Sequence, residues 1–446
     1  ATTNSLPFIA HEINNGVSPG DAYITFNIPG AGPHSIPGAY ISNRYVSIDG
    51  SGEDIVLAGT LTLAAGGILD TLGVQGTVRL YNMSDAAYGV RWCTFRGGTL
   101  TVLTNYTLRG CVFSNTTVNV TRGCRIWYSD LNRWVGEANT LNMFEKNNRA
   151  DRLASTALNI YGPSNHVYES VLTKANCSGS WLVFVSNTVL ASSADSARFI
   201  GDDSRIAHSV FNTDWYDSLE ILGNRNLIEH NVSYSNTYGL YFEGDGNTVR
   251  GNRIGTDAAS TAAMPNFDGG IQMYGGVSNR IGGATTAEFN TVCANVGFGI
   301  MVALGEYAMV YGNYVGLDVN GQPLRGNTAE GISVFGGSNH VIGVAGMPAN
   351  YICGSGQRAI AVSSARGTLV QGNIVGFTPA TNVVSGNGTA GAYDGIYIEG
   401  SPWSRVVGNI VGGQSNGYGI AVSYSAHSVE VTGNRVGVSA GDHLFG

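Results

Sequence analysis

The sequence predicts an all-β chain folded as a parallel β-helix, a solenoid of roughly 11 or more turns. Two repeating phrases and one compositional fact carry that prediction. The first phrase is Gly-Asn-x-aliphatic-Gly. It occurs at Gly251–Gly255, Gly312–Gly316, Gly372–Gly376, Gly408–Gly412 and Gly433–Gly437. The second is a Gly or Ala, an aliphatic anchor and then strict alternation, as in Gly270-Ile271-Gln272-Met273 and Gly331-Ile332-Ser333-Val334. The third observation is composition. There are 64 glycines, and charged residues make up only 12% of the chain, which fits neither a helical nor a disordered protein.

The anchors Leu240, Ile271, Ile300, Ile332, Ile360, Ile396 and Ile420 are spaced by 31, 29, 32, 28, 36 and 24 residues. Period-two alternation at each anchor signals a strand, and none of these stretches shows a 3.6-residue period. A unit of this size cannot bury its apolar edge alone, but stacked units can. Stacking places like residues above like residues, about 4.8 Å apart. The repeated Asn residues then form a ladder that satisfies backbone groups, with Asn231 as an earlier member. A third phrase, Ser278-Asn279-Arg280-Ile281 and Ser338-Asn339-His340-Val341, reads as a repeat in alternate turns. Upstream, Leu219 and Leu158 fit the anchor pattern well and Leu182 and Ala197 more weakly. Thr99–Val102, Thr116–Val120 and Arg125–Trp127 read as strands of shorter turns. Residues 131–157 read as a short helix or a loop.

A chain of 446 residues usually implies two or three domains, but a solenoid grows along one axis. The expected organisation is one continuous solenoid, with short N-terminal turns and a cap over 1–150 and longer repeats over 151–446. The formal charge of −8 and the absence of a basic stripe argue against nucleic acid as a partner. No apolar run approaches the length of a membrane span, and no signal peptide is visible. The chain begins at Ala1 without Met, as a processed or trimmed form would. It ends soon after a repeat, at His443–Gly446, so a cap, a further domain or association is expected to cover the open end. The six cysteines show no metal or redox spacing. Cys293 and Cys353 read as buried apolar residues two turns apart, and Cys93, Cys111 and Cys124 leave room for one disulfide.

The segment Ser18–Ile36, followed by Val46-Ser47-Ile48-Asp49-Gly50, resembles the opening of large bacterial secreted and cell-surface right-handed parallel β-helix proteins. Ile254–Ala259 and Ser278–Gly283 resemble their internal repeats. The wider architecture is that of the pectate-lyase-like superfamily, which includes polysaccharide lyases, glycoside hydrolases, uronan epimerases and phage tailspikes. The resemblance implies a right-handed solenoid outside the cell or on a virion, with a polysaccharide or cell-surface glycan as partner. No lyase-type cluster of Asp residues beside an Arg is present to carry a family assignment onto particular residues.

Aligning the strands gives two outward columns. One runs through Asn159, Val183, Arg198, Glu220, Tyr241 and Gln272, and the other through Tyr161, Val185, Ile200, Leu222, Glu243 and Tyr274. Charge and aromatic residues gather between Arg198 and Tyr274. Glu220 and Glu243, one strand step up and two residues along, are about 8 Å apart. That separation suits an inverting glycosidase acid–base pair. Tyr241 and Tyr274 could stack on sugar rings, Gln272 could contact the chain, and Arg198 could hold an acidic sugar or depress a neighbouring carboxylate. A second candidate cluster is Asp214, Trp215 and Asp217, two acids around an aromatic residue. No cofactor is expected. Asp202-Asp203, Asp245 and Asp257 sit in Gly-rich turns where Asp caps its own backbone. Calcium is the one cation such turns could take, without a regular acidic repeat to support it. His166, His208, His230 and His340 read as stacking residues at strand–turn positions.

The reading is therefore a glycan-binding and glycan-cleaving β-helix, with an adhesin or structural spike as the alternative. A lyase or epimerase is a further alternative, which would require acidic sugars. Phe335, Met301 and Tyr397 make parts of the outward face apolar, as a homotrimer would use.

Overall fold

In the computed structural model, described residues are 22–26, 34–41, 46–50, 55–64, 67–81, 88–104, 106–109, 111–114, 116–122, 125–127, 139–143, 149–151, 156–190, 197–212, 219–379, 384–414 and 417–437. They are strands and turns, with a single 3-10 turn at Thr286–Glu288. Every named strand pairing is parallel, so both compact units, Ala1–Thr188 and Val189–Gly446, are parallel β-helices.

In the first unit each turn contributes to up to three ladders. One climbs through Val46–Asp49, Gly67–Asp70, Tyr88–Arg91 and Tyr106–Arg109. A second, shorter ladder runs from His34–Ile36 to Val112–Ser114. The third holds Thr99–Thr104, Thr117–Arg122, Asn139–Met143, Thr156–Ile160 and Val171–Ser178. The described residues of 131–157 thus hold the strands Asn139–Met143 and Arg149–Asp151 and the start of Thr156–Ile160, and no helix. The turn from Leu158 to Ala175 is only 17 residues long, because no excursion interrupts it. Asn159 consequently stacks between Asn142 and Asn176. Val183 and Val185 belong to a different sheet, beside His166 and Tyr168, so they leave the outward column the alternation suggested.

The second unit stacks the anchored strands from Ala197–Ile200 to Ile420–Ser423 in one register. Anchor and second-following residue point inward. Ile271, Met273, Ile300, Val302, Ile332 and Val334 are all fully buried, each worth about 1.5–3 kcal/mol of apolar transfer. The repeated Asn residues form the expected ladder. Asn252 Nδ2 donates to Asn290 Oδ1 at 3.0 Å, Asn290 to Asn313 at 2.9 Å, and Asn313 to Asn350 at 2.8 Å. Asn231 does enter this ladder, donating to Asn252 at 3.1 Å. Asn290 and Asn350 are members whose flanking residues do not fit the Gly-Asn phrase.

Both glycines of that phrase have a physical reason. The first turns the corner with positive φ, as at Gly251 (65°) and Gly312 (59°). The second meets the next turn's backbone. A Cβ on Gly255 would lie 1.9 Å from the Cys293 carbonyl oxygen. At the Gly251 corner, two earlier turns carry His230 (φ 55°) and His208 (φ 50°), whose rings stack at 5.0 Å. The Ser-Asn phrase does not repeat in register. Arg280 aligns with Met309 and then Val341, so Asn279 falls in line with His340, not Asn339. The buried His340 ring accepts the Ala308 N–H through Nδ1 and fills the ladder position.

Cys293 and Cys353 are fully buried, two turns apart across Gly316. Cys93 and Cys111 are buried and no disulfide joins them; Cys124 lies outside the described residues. No described helix is long and apolar enough to cross a membrane.

Candidate functional site

The outward positions of the second unit bring most of the candidate residues together. Register pairing puts Arg198 beside Glu220, Glu220 beside Tyr241, Tyr241 beside Gln272, and Leu222 beside Glu243. Each lies one residue from a buried strand residue, so the pleat turns it away from the core. Arg198 Nε donates to Glu220 Oε2 at 2.6 Å, with both side chains about one-third exposed. The Tyr241 hydroxyl donates to Glu243 Oε1. The Tyr241 and Tyr274 rings stack at 6.4 Å with 25° between their planes, and Tyr274 is 45% exposed.

This arrangement fixes the charge state of Tyr241. Burial raises its phenol pKa, and the carboxylates of Glu243 and Glu220 raise it further. Tyr241 is therefore a neutral donor and no base. Gln272, one strand step above, has a buried side-chain oxygen without a hydrogen-bond partner.

Alternation alone left out a third contributing column, the residues two positions before each anchor. Tyr238 and Phe298 belong to it. Their rings stack at 5.9 Å above Gly269, where any Cβ would strike the Phe298 ring. Tyr238 also lies 6.5 Å from Tyr241, and its phenol pKa is raised by burial and by Asp268. The signal was present as an aromatic residue directly before the Gly of the anchor phrase, in Tyr238-Gly239 and Phe298-Gly299.

Asp214, Trp215 and Asp217 lie outside the described residues. Of the turn acids, Asp257 caps its own backbone, while Asp245 and Asp203 reach across turns. Asp257 accepts the Thr261 and Ala262 N–H groups at 2.7 and 3.0 Å, which lowers its pKa. Asp245 accepts the Val277 N–H at 2.8 Å, and Asp203 pairs with Arg225 at 2.8 Å. Among the described residues no group of three or more His, Cys, Asp or Glu side chains is placed to hold a metal ion.

No family model and no curated protein matches the chain. Among solved structures it is similar to the A-module of the Azotobacter vinelandii mannuronan C-5 epimerase AlgE6. The identity is 14%, over 91% of each chain, with a TM-score of 0.33. It is similar to the periplasmic alginate epimerase AlgG at 11% identity, over 94% of this chain and 83% of that one, with a TM-score of 0.25. Tailspike protein 3 of bacteriophage CBA120 gives 10% identity over 97% of this chain and 59% of that one, with a TM-score of 0.25. Values this low add nothing to the parallel β-helix that the strand register already establishes.

Proposed function

We propose that the second unit binds a polysaccharide along its outward face and hydrolyses it as an inverting glycosidase. One observation carries the reading: an ion-paired carboxylate, a phenol-bonded carboxylate and a stacked tyrosine pair meet on adjacent strands of one exposed face. The rings of Tyr241 and Tyr274 offer sugar faces an apolar platform. Arg198 pairs with Glu220 at 2.6 Å and fixes that carboxylate in place, which suits the general base. Glu243, about 8 Å away by strand geometry, is the general acid. In the step, Glu220 accepts a proton from water as its oxygen bonds to the anomeric carbon. Glu243 gives a proton to the departing glycosidic oxygen as that C–O bond breaks. Such a protein belongs outside the cell, on a cell surface or on a virion.

A second reading, a non-catalytic adhesin or spike, is favoured by one feature. Both carboxylates already carry a protein partner, as residues with a purely structural role would.

The test is a depolymerisation screen of the wild type, Glu243→Gln and Glu220→Gln on neutral and acidic polysaccharides, read by reducing ends and by absorbance of unsaturated uronates. Reducing ends that vanish in both variants support the hydrolase. Unsaturated products move the assignment to a lyase. Binding without cleavage by the wild type leaves the adhesin.

A further inference from the structure

The outward face of the second unit repeats its own pattern. Tyr241-Phe242-Glu243 recurs as Tyr397-Ile398-Glu399, on the same two columns. The register connects them step by step, from Tyr241 through Gln272, Met301, Ser333 and Ala361 to Tyr397. Five strand steps separate the two tyrosines by about 24 Å. The upper copy has its own cation and second ring. The Arg358 guanidinium lies 4.1 Å above the Tyr397 ring and 5.5 Å from that of Tyr393. Its Nε is buried and has no hydrogen-bond partner, and its ion pair to Glu330 is long, at 3.9 Å. Ser363 donates to Glu399 at 3.4 Å. A guanidinium laid on an aromatic plane beside a carboxylate offers a ring-shaped ligand an apolar face, N–H donors and an acceptor together.

Charge narrows what that ligand is. With Glu243 set aside as the protonated general acid, Glu220 and Asp268 stand around the lower station, and Glu330 and Glu399 around the upper one. Against these four carboxylates are Arg198 and Arg358, and each is paired with one of them. A polyanion laid along this face meets net repulsion. An uncharged sugar presents C–H faces to the tyrosines and hydroxyl donors to the carboxylates.

We propose that Arg358, Tyr393, Tyr397 and Glu399 form a second glycan-binding station, and that the protein takes a neutral polysaccharide long enough to occupy both stations. This rests on the glycan-binding reading above. Two stations on one rigid ladder make affinity depend on chain length, because the second contact becomes intramolecular.

The test is affinity electrophoresis through gels containing neutral polymers (dextran, galactomannan, a β-glucan) or acidic ones (polygalacturonate, hyaluronan). Titration follows, with graded oligosaccharides of the polymer that retards the protein. Wild type, Tyr274→Ala, Tyr397→Ala and Arg358→Gln are compared after their melting temperatures are read. Arg358→Gln keeps most of the packing and serves if Tyr397→Ala does not fold. A neutral polymer should retard the wild type, with affinity climbing once the oligomers can bridge about 24 Å. Both upper-station variants should lose about tenfold on long oligomers and nothing on short ones. Tyr274→Ala should weaken short and long oligomers alike. Stronger retardation by acidic polymers overturns the neutral substrate. An unchanged length dependence in both upper-station variants overturns the second station while leaving the lower one standing. No retardation by any polymer, or a Tyr274→Ala variant that binds like the wild type, overturns the glycan reading itself.

Discussion

The asparagine ladder and the outward column run side by side through the same turns, and they obey opposite rules. Along the ladder the residue hardly changes: Asn231, Asn252, Asn290, Asn313, Asn350, Asn373, Asn409 and Asn434. Along the column it always changes, from Arg198 to Glu220, Tyr241, Gln272, Met301 and Ser333. The ladder position makes one demand in every turn. Its amide must satisfy a neighbouring amide and a backbone carbonyl, as Asn252 does toward Asn290 and Ile228. Outward positions face solvent and carry no such demand. In a solenoid, repetition at every turn therefore marks architecture, and a cluster present on only some turns marks the place to look for chemistry.

Glu229 is the position most able to break that rule, since it does not repeat and yet is buried. Arg205 and Arg250 hold its carboxylate, at 2.7 and 2.8 Å, and Arg250 continues to Glu288 at 2.5 Å. Glu229→Ala should cost about 2–3 kcal/mol in denaturant unfolding, because it removes the charge-assisted hydrogen bonds of a buried carboxylate to two partly exposed guanidinium groups. Burial raises the Glu229 pKa, but the hydrogen bonds and charges of Arg205 and Arg250 outweigh it and bring it below the usual 4.5. A depressed folded pKa contributes stability that is present above the unfolded value and lost as pH falls through the folded one. Wild-type stability should thus fall below pH 4.5, and Glu229→Gln should flatten that acid limb.

Glu243→Gln sharpens the comparison from the other side. It should lower turnover by about a hundredfold or more while leaving the melting temperature almost unchanged. A variant that melts early instead would return Glu243 to the architecture. Asn313→Ala should do the reverse. Losing one rung leaves the Asn290 amide and the Ile281 carbonyl without their partner. That should cost about 1–3 kcal/mol of stability, with glycan binding intact wherever the chain is folded. Asp257→Ala should show the smallest effect, under about 1 kcal/mol, because its loop is exposed. Faster proteolysis within residues 257–264 would report the change.

Much of this was legible in the sequence because stacking in register turns spacing into contact. The alternation at each anchor placed Glu220, Tyr241, Gln272 and Glu243 on adjacent strands without any structure. What escaped did so for local reasons. Asn290 and Asn350 lack the flanking Gly, since the residues before them turn the corner differently. His340 stands in for an amide, which moved the Ser-Asn phrase by one residue. The column of Tyr238, Phe298 and Arg358 precedes the anchor Gly, where alternation has not begun. A neighbouring carboxylate was one of the two expected partners of Arg198, but that the Tyr241 hydroxyl would engage Glu243 depends on side-chain reach, which spacing does not encode.

One further feature concerns the turns that grow. After Gly255, Gly316 and Gly376 the chain leaves the coil and returns, and each excursion is clasped by an antiparallel bridge, Thr256 to Ala263, Leu317 to Pro323 and Phe377 to Val384. Strand register on either side is unaffected. Length added there lies outside the ladder and does not alter the distance between outward residues. The scaffold thus behaves as a ruler whose graduations ignore insertions. New loops can be tried at these three corners without recalibrating anything mounted along its length.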